Sequence, residues 1–185
     1  MAEIVPRWEW RTFGESFGDA DRRFAALTPE RAEESDEIYL LSRRSDASVK
    51  VRGGLMDVKE LQQVDEEGLQ QWKPVLKAGE PLTADDARTV LSALRADSPP
   101  QIRDAYTLDQ FLAEAVVGPS ADLLAVGVHK SRKHYTIDGA MAELSELRTN
   151  KGSRRTIAVE SEDPKRVVTA QAKPARRTRS IVDRV

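Results

Sequence analysis

Charged and apolar residues alternate along several short stretches of this chain. In residues 7–13, Arg7, Glu9 and Arg11 occupy every second position, with a tryptophan between each pair. Residues two apart share a face of a β-strand, so this alternation predicts strands with one polar and one apolar face. The same pattern predicts further strands at residues 36–42, 48–52, 55–61, about 123–135, 138–148 and 154–160.

Turn and helix signals separate these strands. Gly53-Gly54 suits the positive φ angles of a tight hairpin turn, and a second turn is expected near Asp138-Gly139. Pro99-Pro100 interrupts the middle of the chain, and Pro164 suits the first position of a final helix. Apolar residues near helical spacing predict helices at residues 16–27, 65–77, 84–96 and 107–116.

The order of elements is four strands, a helical insert, three strands and a helix. This order predicts an α+β fold with a mainly antiparallel sheet. Charged faces on most strands favour a closed β-barrel with a polar interior and surrounding helices over a sandwich with an apolar core. We expect one domain over residues 1–172. Residues 173–185 are rich in arginine and are expected to form a poorly ordered basic tail.

Two predicted strands carry a stripe of a single charge sign. Lys50 lies two residues before Arg52, and Lys130 lies two residues before Arg132. Several strands that direct cations to one place would attract a polyanion with closely spaced charges, of which a triphosphate is the simplest candidate. The alternative is that these are ordinary exposed strand residues, which is the usual position of lysine and arginine.

Composition limits the partners of such a site. The net charge of −2 argues against a nucleic-acid-binding protein. The absence of cysteine excludes disulfides and thiolate metal sites, and two histidines argue against a histidine-rich zinc site. A metal would need carboxylate ligands, which favours Mg²⁺ or Mn²⁺. The N-terminus lacks a signal-peptide pattern and no apolar run would span a membrane, so we expect a cytoplasmic protein without a membrane partner.

The ordered set of charged strands resembles the CYTH fold of the triphosphate tunnel metalloenzymes. This family includes class IV adenylyl cyclases, thiamine triphosphatase, tripolyphosphatases and fungal-type RNA triphosphatases. The resemblance covers roughly residues 5–170. It is carried by Arg7-Trp8-Glu9-Trp10-Arg11, Val49-Lys50-Val51-Arg52, Asp57-Val58-Lys59, Lys130-Ser131-Arg132 with Tyr135, and Ile157 to Pro164.

The resemblance implies a role for each charged position. In the family, basic side chains hold the phosphate chain and acids hold a divalent metal, here expected to be Mg²⁺ or Mn²⁺. The implied metal ligands are Glu9, Glu143 and Glu160, and the implied catalytic residues are Glu9 and Lys59. The alternative for the three acids is that they are ion-pair partners of the surrounding cations. The implied substrate-binding residues are Arg7, Arg11, Lys50, Arg52, Lys59, Lys130 and Arg132.

The chain departs from the family pattern in its acids. The family opens with Glu-x-Glu-x-Lys, where this chain has Arg7, Glu9 and Arg11. The late strand of the family offers two acids two apart, where this chain has Ala158 and Glu160. Because the basic positions are kept and the acidic positions are fewer, the pattern supports binding of a triphosphate or polyphosphate more than catalysis. We expect such binding, and metal-dependent hydrolysis with it. The alternatives are a non-catalytic polyphosphate- or nucleotide-binding accessory or sensor module, and a structural β-protein with exposed cations.

The remaining candidate residues are assigned to packing or to the surface. Trp8, Trp10, Tyr39 and Tyr135 are expected to pack rather than contact a ligand. The two histidines, His129 and His134, are expected on the surface. A homodimer is possible through the long antiparallel strands.

Overall fold

The computed structural model of the protein describes residues 5–97, 102–116 and 122–172. Pro99-Pro100 and the basic tail at 173–185 lie outside these described residues. Within the described ranges, no helix has the length and apolar character needed to cross a membrane.

The described residues form ten strands and four α-helices. The strands are β1 (Arg7–Gly14), β2 (Arg31–Ser42), β3 (Ser45–Arg52), β4 (Leu55–Val64), β5 (Gln70–Gly79), β6 (Leu82–Thr83), β7 (Ala105–Tyr106), β8 (Leu123–Ile137), β9 (Ala140–Thr149) and β10 (Gly152–Ser161). The helices are α1 (Asp19–Ala25), α2 (Ala84–Ala93), α3 (Leu108–Phe111), which continues as a π-helical turn over Leu112–Val116, and α4 (Pro164–Ala172).

Eight of the strands form a closed antiparallel barrel. Their hydrogen-bonded order is β1-β10-β9-β8-β2-β3-β4-β5, and β5 returns to pair with β1. The two short strands β6 and β7 form a separate sheet. The predicted α+β fold with a closed, mainly antiparallel barrel is therefore confirmed.

The turn residues explain two of the barrel's hairpins. Gly53 and Gly54 have φ angles of 55° and 74° between β3 and β4. Asp138 and Gly139 have φ angles of 51° and 75° between β8 and β9. Positive φ at both central residues defines the two-residue turn whose twist matches that of paired strands. Both predicted hairpins are confirmed.

The predicted helix at 65–77 is wrong, because Gln70–Gly79 forms β5. Pro74 lacks an amide N–H and would clash with the preceding helical turn, so a helix interior is unfavourable there. Just before the strand, Asp65 Oδ1 accepts a hydrogen bond from the amide of Leu69 at 2.8 Å. This turn separates β4 from β5, and the extra strand brings the barrel to eight strands.

The chain divides into two compact units, each with its own core. The first unit takes its described residues from Met1–Glu34, Gln62–Trp72 and His129–Val185. Its core packs Phe24 edge-to-face on Tyr135, with ring centroids 4.9 Å apart. Helix α4 contacts β1, β9 and β10 in this unit. The other members of this core are Ala20, Leu69, Ala140, Ala142, Ile157, Val159, Val167 and Ala170.

The second unit takes its described residues from Ser35–Leu61 and Lys73–Val128. Its core joins Val49 and Val51 of β3 to Val90 and Leu91 of α2. The predicted helix at 84–96 is confirmed as α2, and its N-terminus is closed by a capping box. Thr83 Oγ1 accepts from the amide of Asp86 at 3.1 Å, and the Asp86 carboxylate accepts from the amide of Thr83 at 2.9 Å.

Candidate functional site

Alternation along the strands gives the first unit one charged face. On β1, Trp8 and Trp10 pack against the unit's apolar core, so Glu9 and Arg11 lie on the opposite face. Across the sheet, Arg11 pairs with Ala158 on β10, and Ala158 pairs with Glu143 on β9. Glu143 in turn pairs with His134 on β8. Paired residues point to the same face, so Arg11, Glu143 and His134 share one face, with the small apolar Ala158 between Arg11 and Glu143.

Glu9 and Arg11 form a two-point ion pair along β1. Arg11 Nε donates to Glu9 Oε1 at 2.8 Å, and the Arg11 terminal nitrogen Nη2 donates to Glu9 Oε2 at 3.2 Å. The guanidinium also donates to Thr156 Oγ1 at 3.3 Å. This geometry is the planar fork by which arginine also binds phosphate oxygens.

Lys130 and Glu143 form the most buried ion pair of the described part of the first unit. Lys130 Nζ lies 2.8 Å from Glu143 Oε1, and the hydroxyl of Ser145 donates to the same oxygen at 2.7 Å. Arg11 approaches that oxygen at 3.9 Å. The Lys130 side chain is only 6% exposed, whereas the Glu143 side chain is 19% exposed. The cation is therefore more deeply buried than its acid.

The two partners respond differently to this environment. Burial raises the pKa of the Glu143 carboxyl, but the charge and hydrogen bond of Lys130, with a further contribution from Arg11, outweigh it and lower the pKa to about 2. Burial lowers the pKa of the Lys130 amine, and the attraction of Glu143 offsets only part of that effect. The Lys130 ammonium would therefore gain from any additional negative charge nearby.

Arg7 and Glu160 occupy one end of the same face. Arg7 Nη1 lies 3.1 Å from Glu160 Oε1, with side-chain exposures of 44% and 21%. Glu160 is the cross-strand partner of Glu9. Two carboxylates directly opposite each other repel, and the flanking arginines compensate for this repulsion.

A second group of basic side chains meets at Glu33 on β2. Arg132 Nη1 lies 3.4 Å from Glu33 Oε1, and Arg31 Nη2 lies 3.3 Å from it. His134 Nε2 lies 3.3 Å from the same oxygen. We call Arg31, Arg132 and His134 the Glu33 cradle. Burial raises the pKa of the Glu33 carboxyl, but the His134 hydrogen bond and the two guanidinium groups outweigh it, so the pKa is lowered.

In the second unit, the most deeply buried charged side chain among the described residues is an acid, Glu37. The Glu37 side chain is 0% exposed and accepts hydrogen bonds from the hydroxyls of Tyr39 at 2.8 Å and Ser35 at 3.0 Å. Lys50 Nζ lies 3.7 Å from Glu37 Oε2, and Arg52 Nη1 lies 3.9 Å from Glu37 Oε1. We call these five residues the Glu37 cluster.

The structure groups the predicted substrate-binding residues by unit. In the first unit, Arg7, Arg11, Lys130 and Arg132 each pair with a glutamate of the same face. In the second unit, the predicted cations are Lys50, Arg52 and Lys59, of which the first two belong to the Glu37 cluster. Lys59 is half-buried on β4, and its side chain forms no ion pair with any residue that the structure describes.

The predicted metal ligands do not form a three-carboxylate site. Glu9 is engaged by Arg11, Glu143 by Lys130 and Glu160 by Arg7. Among the described residues, no three acids or histidines are grouped closely enough to hold a metal ion. A metal would have to displace these cations, so the donor set in this arrangement fits ion pairing better than metal binding. The use of Mg²⁺ or Mn²⁺ stays a prediction.

Sequence reasoning missed several polar residues of these groups. His134 was expected on the surface, but it is half-buried within the Glu33 cradle. The strand predicted at 36–42 begins earlier, at Arg31, and this extension brings Glu33 onto a strand. One face of the segment from 31 to 39 is polar at every second position, but Glu34 and Asp36 on the other face are polar too, so no clear alternation marked a strand. The residues on the fully polar face are Arg31, Glu33, Ser35, Glu37 and Tyr39.

Two packing predictions have clear outcomes. Tyr135 is 5% exposed and belongs to the core of the first unit, as expected. Tyr39 was also assigned to packing, but its hydroxyl donates to Glu37, and the Lys50 ammonium lies 5.9 Å from its ring centroid. Tyr39 is therefore part of a polar cluster.

The acids of this face are suited to accepting hydrogen bonds rather than to donating a proton. The pKa values of Glu33 and Glu143 are both lowered, so both carboxylates stay ionised near neutral pH and act only as acceptors. The cations that hold them are of the type that forms charge-assisted hydrogen bonds with carboxylate and phosphate oxygens alike.

Comparison with known proteins adds two similar structures. The chain matches HpAC1 from Hippeastrum, a proposed adenylyl cyclase reported to have a dominant triphosphatase activity. Identity is 14%, coverage is 88% of this chain and 83% of that chain, and the TM-score is 0.49. The chain also matches a proposed adenylate cyclase from Bacillus halodurans at 12% identity, covering 92% of this chain and 86% of that chain, with a TM-score of 0.49.

Sequence-level comparisons give no match. No family model matches the chain, and no curated protein does. The closed antiparallel barrel that the CYTH resemblance implied is present in the strand pairing of the chain itself.

Proposed function

We propose that the protein binds a triphosphate-class polyanion through the cations of its first unit. The observation that carries the proposal is the inverted burial of the ion pairs. The Lys130 and Arg132 side chains are 6% and 4% exposed, whereas their partners Glu143 and Glu33 are 19% and 31% exposed. In these two pairs the acid is the more accessible member, whereas in the Arg11–Glu9 and Arg7–Glu160 pairs the arginine is the more exposed one.

Burial makes these cations depend on an anion. A buried charge is costly unless it is paired, so Lys130 and Arg132 each need a negative partner in every state of the protein. A phosphate chain supplies several oxygens with closely spaced charge and can replace the glutamates. Charge-assisted hydrogen bonds from lysine and arginine would then hold it. Arg11 and Arg7 would extend the cationic surface along β1.

Hydrolysis of the bound ligand is the second candidate. The CYTH resemblance implies it, and the facing carboxylates of Glu9 and Glu160 give it a specific observation, since a cation between them would relieve their repulsion. In this structure, Arg11 at Glu9 and Arg7 at Glu160 are the cations that offset this repulsion. The proposal therefore rests on binding, and metal-dependent phosphate release is a separate result of the same experiment. The cytoplasmic location and a homodimer stay predictions.

The experiment is a thermal-shift titration with tripolyphosphate, ATP and long-chain polyphosphate, each with and without Mg²⁺ or Mn²⁺. Phosphate release is measured in the same samples. A ligand that binds only the folded state raises the melting temperature with its concentration. The variant Lys130→Met removes the buried cation, and Lys133→Met is its matched control, because Lys133 is exposed on the opposite face of β8.

We expect a rise in the melting temperature of the wild type and of Lys133→Met. We expect Lys130→Met to bind about tenfold or more weakly, the loss that corresponds to about 1.4 kcal/mol. Phosphate release that requires metal would identify an enzyme, and stabilisation without release would identify a binding module. No shift with any polyanion, or equal binding by the two lysine variants, would contradict the proposal.

A further inference from the structure

We propose that Met141 is an oxidation site of the first unit, and that the Arg7 guanidinium holds the oxygen of its sulfoxide. The oxidant is a hydroperoxide, and the product is a new polar contact between β9 and β1 at one end of the charged face. This inference needs no bound polyanion, so it stands or falls separately from the proposed function.

Met141 is an exposed thioether on a face of charged and polar residues. Its neighbours on β9, Ala140 and Ala142, belong to the apolar core, so alternation places Met141 on the opposite face with Glu143. Met141 is 51% exposed, whereas Met56 of the second unit is 0% exposed. A dissolved oxidant reaches an exposed sulfur more readily than a buried one, so Met141 should be oxidised in preference to Met56.

The Arg7 guanidinium already lies at the Met141 sulfur. Arg7 Nη1 donates to Met141 Sδ at 3.9 Å and to Glu160 Oε1 at 3.1 Å. Met141 is the cross-strand partner of Glu160, so the three side chains span the neighbouring strands β1, β10 and β9. A thioether sulfur is a weak acceptor, so Glu160 is the stronger of the two partners while Met141 is reduced.

Oxidation replaces this weak acceptor with a polar oxygen. The sulfur lone pair attacks the terminal oxygen of the hydroperoxide, the S–O bond forms and the O–O bond breaks. The proton of the transferred hydroxyl passes to the leaving oxygen, which departs as water or as an alcohol. The sulfur loses two electrons and the hydroperoxide gains them. A methionine sulfoxide reductase can reverse the modification.

The donor for the new oxygen is already in place. An oxygen bonded to Met141 Sδ on the side of Arg7 lies nearer to Nη1 than the sulfur does, and this brings an acceptor into hydrogen-bonding range. Hydrogen bonds from a charged donor are stronger than neutral ones. The Arg7 side chain is 44% exposed, so the sulfoxide would restrain a cation that solvent now reaches.

The alternative is that Met141 is a single exposed apolar residue without a further role, which is common on protein surfaces. Oxidation would then make the side chain polar without engaging Arg7. The two explanations differ in coupling. Only the proposed contact makes the effect of oxidation on stability depend on the Arg7 side chain.

The experiment treats the full chain with hydrogen peroxide and follows each methionine by peptide mass spectrometry. Met1, the third methionine, lies outside the described residues and is read on its own peptide. Urea unfolding is measured before oxidation, after oxidation and after treatment with a methionine sulfoxide reductase. Met141→Leu cannot be oxidised at this position, so it gives the contribution of the other two methionines.

The wild type is compared with Arg7→Leu and with Arg148→Leu, the matched control. Arg148 is 58% exposed and pairs with Glu146 at 3.3 Å, on the face of β9 opposite Met141. We expect Met141 to be oxidised while Met56 stays reduced. Oxidation should raise the unfolding equilibrium constant of Arg7→Leu about fivefold more than that of the wild type or Arg148→Leu, the effect of one hydrogen bond of about 1 kcal/mol. The reductase should abolish this difference.

A Met141 that stays reduced under conditions that oxidise Met56 would overturn the oxidation site. Equal effects of oxidation in Arg7→Leu and Arg148→Leu would overturn the contact with Arg7. A crystal structure of the oxidised wild type tests the contact without any variant. We expect the sulfoxide oxygen within hydrogen-bonding distance of Arg7 Nη1, and an oxygen directed to solvent would contradict the proposal.

Discussion

The most buried ion pair of the described residues in each unit has the opposite charge on its more deeply buried member. In the second unit, the acid Glu37 is completely buried, while its cations Lys50 and Arg52 are 18% and 38% exposed. In the first unit, the cation Lys130 is 6% exposed and its acid Glu143 is 19% exposed. A buried acid attracts the cations around it and holds them in place. A buried cation is costly unless an anion lies beside it, and an external ligand can supply that anion in place of a glutamate.

This difference separates ion pairs that maintain the fold from ion pairs that can be exchanged. Glu37 accepts two hydroxyl hydrogen bonds besides its cations, so each of its oxygens has a hydrogen-bond donor within the protein. Glu33 and Glu143 are nearer to solvent than the buried cations Arg132 and Lys130 with which they pair. We therefore propose anion binding by the first unit and a structural role for the Glu37 cluster, and the predicted substrate-binding role of Lys50 and Arg52 stays a prediction.

The largest expected effect is a loss of unfolding free energy at low pH, caused by protonation of Glu143. The pKa of Glu143 is lowered from its ordinary value of 4.5 to about 2, so its ionised form favours the folded state. This contribution is present above pH 4.5 and is lost as pH falls toward about 2. A shift of this size corresponds to roughly 3 kcal/mol, and Glu143→Gln should lack that part of the pH dependence.

The measurement is urea unfolding of the wild type and Glu143→Gln between pH 5 and pH 2. We expect the difference in unfolding free energy between the two proteins to shrink as the pH falls. Parallel curves across that interval would show that Glu143 is not held in the ion pair, and the contrast between the units would lose its main support.

Substitutions in the Glu37 cluster should lower the free energy of unfolding. Glu37→Gln leaves two hydroxyl donors and two cations without their carboxylate, and we expect a loss of about 1–3 kcal/mol in the free energy of unfolding. Glu34→Gln is the control, because Glu34 is 68% exposed on the opposite face of β2 and should change stability by less than about 0.5 kcal/mol. Urea unfolding at neutral pH distinguishes them, and equal stability of the two variants would refute the structural role.

Of these substitutions, replacement of Lys59 should change the free energy of unfolding least. It is half-buried, and its side chain forms no ion pair within the part of the chain that the structure describes. Lys59→Met should therefore change the free energy of unfolding by no more than about 0.5 kcal/mol. The CYTH resemblance also implies a role for Lys59 in substrate binding and catalysis. A fall in triphosphate affinity or phosphate release at unchanged stability would support that assignment and extend ligand binding to the second unit.

The charged faces of the strands could be predicted from the sequence because alternation is local. Lys50, Arg52, Lys130 and Arg132 each stand two residues from a like charge, and period two alone fixes their shared face. The partners of these cations could not be predicted in the same way. Lys130 reaches Glu143 on another strand, and that contact depends on the register of β8 and β9, which no local pattern specifies.

The errors have equally specific causes. Acidic residues have low strand propensity, so the segment before Asp36 did not indicate a strand, and Glu33 was missed as an ion-pair partner. Pairing of β2 within the barrel overrides that propensity. Glu37 lies within the predicted strand, but its contacts with Lys50 and Arg52 depend on the pairing of β2 with β3, which no local pattern specifies. A helix was predicted at 65–77, where the structure has β5. Pro74 is unfavourable in a helix interior because it lacks an amide N–H.

The most direct test of anion exchange in the first unit is a crystal structure of the protein with tripolyphosphate bound. The account predicts phosphate oxygens within hydrogen-bonding distance of Lys130 Nζ and Arg132, with the Glu143 carboxylate moved away from its present 2.8 Å contact with Lys130. Tripolyphosphate bound elsewhere while the Lys130–Glu143 contact remains intact would contradict the account.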